Sequence, residues 1–288
     1  MSNASHKSGI VRAFRSRNFQ LFWVGAVANN LGVWISRLAI AWLTWDLTHS
    51  TAWLGVMGAG SMVPILFLGP ISGATADRHG YRFQLISSTI IGGLITTAAA
   101  TLVVTDIIFP ELLLALVLGR GITQSFDVPA RNALVHSLVD KADLSAAIGV
   151  NAATYQGLRF VGPAVGGFLL VAGGPGWALY GHAGLAFFTG AFLLMLRIDG
   201  EGRAKAARGQ FFSELVAGFR YTYRHGGIRV VMLMTAVTTL FLEPYFEMLP
   251  AFADEVFKLG EQGVGPAHVG HRRRCHGGRS VARPAGSD

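Results

Sequence analysis

Apolar residues gather along this chain in seven long runs, at about 19–42, 53–74, 83–105, 112–128, 144–171, 177–196 and 230–250. An α-helix rises 1.5 Å per residue, so about 20 apolar residues cross the hydrocarbon core of a bilayer. The pattern therefore predicts seven transmembrane helices. The first six runs are joined by short polar turns. The sixth and seventh are separated by a long polar, basic stretch, residues 198–229. In that stretch Phe211, Leu215, Phe219 and Tyr223 recur every fourth residue beside Arg220 and Arg224. This spacing predicts an amphipathic helix, lying on the membrane surface or packed beneath the bundle. The chain is expected to divide into a six-helix bundle (1–198), a linker (199–229), a seventh span (230–251) and a basic tail (252–288).

Composition supports this reading. Of the 288 residues, 51% are hydrophobic and 14% charged, against about 25% charged in soluble domains. The mean hydropathy is +0.45. So few charges do not cover a water-facing surface. The 37 glycines suit close helix packing in lipid. Basic residues precede the first run, as in a signal peptide, but the run is too long for one and no cleavage site follows. It is expected to remain as a span.

The net charge of +8 would suggest nucleic-acid binding in a soluble chain. Here the basic residues instead mark topology. Lys7, Arg12, Arg15 and Arg17 precede the first run, Arg78 and Arg82 fall between the second and third, and Arg131 and Lys141 between the fourth and fifth. More basic residues occupy the linker. The alternate turns hold Asp46 and His49, then Asp106 and Glu111, then no charge. This asymmetry predicts a cytoplasmic N-terminus in an inner, plasma-type membrane. The tail cluster Arg272, Arg273 and Arg274 falls on the wrong side, and composition changes abruptly near Gly263. A disrupted reading frame accounts for both; a natural basic tail is the alternative.

Two motifs carry more specific information. Between the second and third runs stand Gly73, Asp77, Arg78, Gly80 and Arg82, the loop signature G-x-x-x-D-R-x-G-x-R of the major facilitator superfamily. Its glycines permit a tight turn, and Asp77 is placed to pair with arginines at neighbouring helix ends. In the fifth run, Gly149, Gly162, Pro163, Gly166 and Gly167 resemble the superfamily's antiporter signature, with Leu158 standing where its second glycine would be. A Gly-Pro step is expected to bend the helix, and the glycines to admit a partner helix.

With Arg17-Asn18-Phe19, the turn at 45–50 and the sequence Pro129-Ala-Arg-Asn-Ala133, these motifs resemble the enterobactin-exporter-like branch, or transmembrane secretion effectors, of the superfamily. The similarity covers about residues 15–258. It implies an all-α membrane protein of two inverted three-helix repeats plus a further helix. It also implies proton-coupled export of small molecules by alternating access, and no enzyme activity.

Ionisable residues within spans are costly and mark function or pairing. Arg120, in the fourth run, matches the superfamily arginine to which the resemblance gives a role in proton coupling. Arg37 and Arg159 lie toward the far side of their spans, where snorkelling and a cavity role are both open. Glu243 and Glu247 share one helix face in the seventh run, and Glu243 is a candidate proton carrier. No phosphate-binding loop, metal spacing or nucleophile elbow occurs, so neither cofactor nor metal is expected. The expected partners are a small-molecule substrate, protons and the lipid bilayer, without nucleic acid. A non-transporting membrane fragment is the alternative reading.

Overall fold

The structure, a computed structural model, describes residues 9–197, 220–221, 223–234, 237–238 and 248. Five long helices follow one another: α1 (Arg17–Thr48), α2 (Thr51–His79), α3 (Tyr81–Val104), α4 (Pro110–Leu138) and α5 (Leu144–Leu194). Ser16 caps α1, its side chain accepting from the Phe19 N–H, and His49 in the left-handed region closes it. Residues 17–48, 51–69, 81–104 and 144–194 are long and apolar enough to cross a membrane. α4 is more polar, holding Glu111, Arg120, Asp127 and Arg131.

α5 has 51 residues, more than twice what one crossing needs. Gly174 (φ 79°) breaks it into two arms, residues 144–173 and 175–194. The arms fold back on each other. A Cβ on Gly181 would lie 3.3 Å from Leu169 Cδ1, whereas a straight helix would place those positions about 18 Å apart. α5 thus forms two rods, so the five long helices give six helical segments, matching the first six of the seven apolar runs.

Glycine contacts fix how the crossings pack. α2 and α4 run parallel, and a Cβ on Gly121 would meet Pro64 Cγ and Ser61 O at 2.9 Å. α1 runs parallel to the first arm of α5, with Gly162 against Trp34 and Gly166 against Ile35. The second arm runs antiparallel to α1, where Thr189 donates to Gly25 O at 3.0 Å. It is antiparallel to α3 too, pairing Gly176 with Val104 and Gly190 with Ile90. α3 and α4 are antiparallel, with Gly92 against Thr123 and Gly119 against Ile95. The relation of α1 to the two arms of α5 is thus repeated by α4 with α2 and α3, in the opposite direction across the membrane. This is the inverted three-helix repeat that the resemblance implies.

Apolar clusters close both ends. Phe19, Phe22, Leu85, Leu134 and Leu193 pack at the basic end. Leu43, Met57, Leu113 and Val117 pack at the opposite end.

The structure corrects one expectation of the apolar pattern. The fourth crossing does not stop at Val128; α4 continues to Leu138 with Pro129 inside it. Arg131, expected in a loop, is buried. Asp127, one turn earlier, neutralises it, so the helix continues where a count of charges predicts a turn. Most of the amphipathic linker helix lies outside the described residues, although Tyr223 is helical. Parts of the seventh span, residues 230–234 and 237–238, are helical. Residue 248 is helical too; the other residues of the span and the tail 252–288 lie outside the described residues.

Candidate functional site

The predicted loop signature joins α2 to α3. Gly80, at φ 88°, forms the turn, and its N–H donates to Ala76 O at 2.8 Å. A positive φ is easy for glycine and strained for other residues, which is why the turn carries one. Arg78 is exposed on the last turn of α2, and Gly73 has open space where a Cβ would point. Asp77 lies in α2, and its side chain is outside the described residues. Arg82 reaches across to α5, donating from Nε to Leu193 O at 3.3 Å and from Nη2 to Leu194 O at 2.9 Å. A cation there meets orphan carbonyls and the negative end of the helix dipole. The α2–α3 turn is therefore fastened to the last turn of α5.

The antiporter-like glycines divide into two groups. Gly162 and Gly166 are buried against α1. A Cβ on Gly166 would lie 3.3 Å from Ile35 Cα, so the two backbones are close together. Gly149 and Gly167 have nothing within 4 Å of a built Cβ. Pro163 lies between them within the first arm. The residue with non-helical φ/ψ in α5 is Gly174, not Gly162 or Pro163.

Arg37 and Arg159 meet at one aromatic ring. The Arg37 guanidinium lies 5.3 Å from the Trp34 ring centroid, and that of Arg159 lies 5.7 Å from it. The Tyr155 ring stands 6.0 Å from the same indole. Arg37 is thus part of an aromatic–cation cluster between α1 and the first arm of α5.

Arg120 belongs to a separate cluster in the middle of the bundle. Its Nη1 donates to Thr96 Oγ1 at 3.1 Å. The same nitrogen lies 2.7 Å from His182 Nδ1 and 3.0 Å from Nε2. His182 is 3% exposed, and its ring packs directly on Gly32 of α1, filling the space a Cβ would take. Four crossings meet here: α1 gives Gly32, α3 Thr96, α4 Arg120 and the second arm of α5 His182. An arginine at the centre of a membrane helix costs about 2.5–3.5 kcal/mol on insertion scales, so acceptors at this depth matter. Glu243, the third proposed cavity residue, and Glu247 lie outside the described residues.

Several polar residues of the basic end were not singled out by the sequence. Asp127 accepts from Arg131 Nε and Nη2 at 3.1 Å each, and from Thr89 Oγ1 at 3.1 Å. Gln84 Nε2 donates to Ser72 Oγ and Phe126 O, both at 3.0 Å. Before α1, Arg12 Nε and Nη2 clasp Asp143 Oδ1 at 2.9 and 2.6 Å. That hydrogen bond, and then the carboxylate charge, hold the Arg12 pKa above its ordinary value. Ser16 Oγ donates to Leu138 O at 3.3 Å, so the N-terminal segment is tied to the turn between α4 and α5. The i, i+4 spacing of Asp127 and Arg131 was a legible signal. His182 offered none beyond its mid-span position.

Comparison with known proteins agrees with the architecture. A family model described as transmembrane secretion effector matches residues 8–263. The staphyloferrin A transporter of Staphylococcus aureus is 28% identical over 192 residues, 66% of this chain and 44% of the relative. An uncharacterised MFS-type transporter of Bacillus subtilis is 27% identical over 59% of this chain and 40% of its own length. Macrolide efflux protein A of Streptococcus pyogenes is 23% identical over 83% of this chain and 59% of its own. The chain thus spans about half the length of the curated relatives it matches. No solved structure matches. A family match over residues 8–263, most of the chain, on a bundle of long apolar helices, shows that this multi-pass membrane protein belongs to the transmembrane secretion effector family of the major facilitator superfamily.

Proposed function

We propose that this chain supplies the first bundle of a proton-coupled exporter of small, partly hydrophobic molecules, siderophore-like or drug-like, working by alternating access. The observation that carries the reading is Arg120: a cation placed midway along the bundle where four helical segments meet, beside the Thr96 hydroxyl and the His182 ring. A purely structural bundle gains nothing from such a residue, and a carrier needs charge at that depth to respond to protons or substrate. The siderophore and macrolide relatives support the substrate class. The antiporter-like glycines support export over import. The rigid unit in this reading is residues 1–198, with 199–229 as a cytoplasmic linker and 230–251 as the start of a second unit.

Efflux tests this directly. Bacteria expressing the chain are expected to hold less of a fluorescent drug-like dye than empty-vector cells, and a protonophore should erase the difference. Equal accumulation in both strains overturns the proposal for this chain. That outcome would favour a second reading, a membrane chain that moves nothing alone. Alternating access needs another bundle to rock against.

The basic turns place the N-terminus and linker in the cytoplasm of the inner membrane in this reading. A phosphatase reporter fused after Gly209 is expected to stay inactive while a cytoplasmic reporter at the same site is active. The reverse pattern would invert the topology.

A further inference from the structure

We infer that His182 is a proton-binding site whose protonation expels Arg120, so that taking up a proton releases the arginine. Arg120 Nη1 lies 2.7 Å from His182 Nδ1 and 3.0 Å from Nε2, so the guanidinium faces both ring nitrogens at once rather than the lone pair of one. A guanidinium has only donors and keeps its charge. A proton bound at the unprotonated ring nitrogen uses that nitrogen's lone pair and leaves the ring a cation with an N–H at both nitrogens. Two cations then stand at contact distance in a medium of low dielectric. The contact opens. In reverse, Arg120 returning to the ring requires the proton to leave.

The surroundings make this a competition for one site. The imidazole packs on Gly32 from α1, which brings no charge. α3 brings the Thr96 hydroxyl, which accepts from Arg120. Within the second arm itself, Tyr180 lies two residues away and is bonded to Thr101 Oγ1 at 2.9 Å. Arg37, further along α1, lies on the Trp34 ring. Asp127, further along α4, is held by Arg131 and Thr89. Among the described residues, Arg120 is the charged group that faces His182. The ring cannot swing away on the Gly32 side, where backbone blocks it. Relief comes from Arg120 or from separation of α4 and the second arm of α5. The inference rests on the transport reading for its use, but the competition itself does not.

The test is ¹⁵N NMR of the full chain, labelled at histidine and arginine, in nanodiscs. The His182 ring signals are those missing in His182→Gln, and the Arg120 side-chain signals are those missing in Arg120→Lys. Between about pH 4 and about pH 9, a range wide enough for a perturbed imidazole, the His182 signals should change in one step. The Arg120 signals should change with the same midpoint. In Arg120→Gln the His182 midpoint should move by about one pH unit or more. Arg120 signals that stay fixed through the His182 step overturn the inference. So does an imidazole that takes no proton across the range, or a midpoint unmoved in Arg120→Gln. If the Arg120→Gln chain does not fold, the coincidence of midpoints in the unaltered chain decides. Coupled titration in a chain that lowers no dye in the efflux assay would sink the transport proposal and leave this inference standing.

Discussion

Arg120→Ala is expected to bring proton-dependent efflux down to the empty-vector level, a loss of about tenfold or more. The substitution removes the donor shared by Thr96 and His182 and leaves their acceptors at mid-membrane depth. Stranding a buried polar group costs about 1–3 kcal/mol, and each 1.36 kcal/mol is tenfold in a rate. The loss should exceed any fall in abundance, which immunoblotting of the membrane fraction measures. Arg120→Lys should keep part of the activity. It preserves the charge, but an ammonium on a flexible stem does not reproduce the planar guanidinium fork. Full activity in Arg120→Ala, with normal abundance, would remove Arg120 from the mechanism.

Gly162→Ala should lower the melting temperature of the purified chain by roughly 2–12 °C, while Gly167→Ala should leave it unchanged or raise it. A Cβ on Gly162 collides with the Trp34 side chain, whose Cγ it would meet at 3.1 Å. Trp34 has little room to yield, since Arg37, Arg159 and Tyr155 surround its ring. Overpacking of this kind costs about 1–3 kcal/mol, and each kcal/mol is roughly 2–4 °C for a chain of this order of size. At Gly167, as at Gly149, a Cβ meets nothing within 4 Å, and alanine is the better helix former by about 1 kcal/mol. Thermal unfolding in detergent, followed by tryptophan fluorescence, separates the cases. An equal penalty at Gly162 and Gly167 would contradict the packing of the first arm on α1. A transport defect in Gly149→Ala or Gly167→Ala without loss of stability would instead show that this open face meets a partner during the cycle.

The crossings were legible because the bilayer imposes a length: about 20 apolar residues between polar turns leave few alternatives. The turn between the fifth and sixth crossings was equally visible, in the gap that contains Gly174. The end of α4 was not. A window of hydropathy reads Asp127 and Arg131 as two charges, whereas the helix presents them as one neutral pair. The loop and antiporter signatures located Arg82 and Gly162 by pattern. The pattern did not reveal that Arg82 fastens the end of α5, or that of the four marked glycines only Gly162 and Gly166 meet α1. Arg120 was marked by its depth in an apolar run. Its partner was hidden because His182 is 62 residues away, and the contact depends on the absence of a side chain at Gly32 in a third helix. Nothing local to His182 distinguishes it from a histidine satisfied within its own helix.

The single-residue break at Gly174 has a mechanical consequence. With its two arms joined so tightly and packed along one another, α5 behaves as a bracket, not as two independent rods. The first arm grips α1 through Gly162 and Gly166, and the second carries His182 to Arg120. The bracket joins the face that meets α1 to the ring beside Arg120 through one left-handed glycine, so a side chain at position 174 would strain the placement of both arms at once.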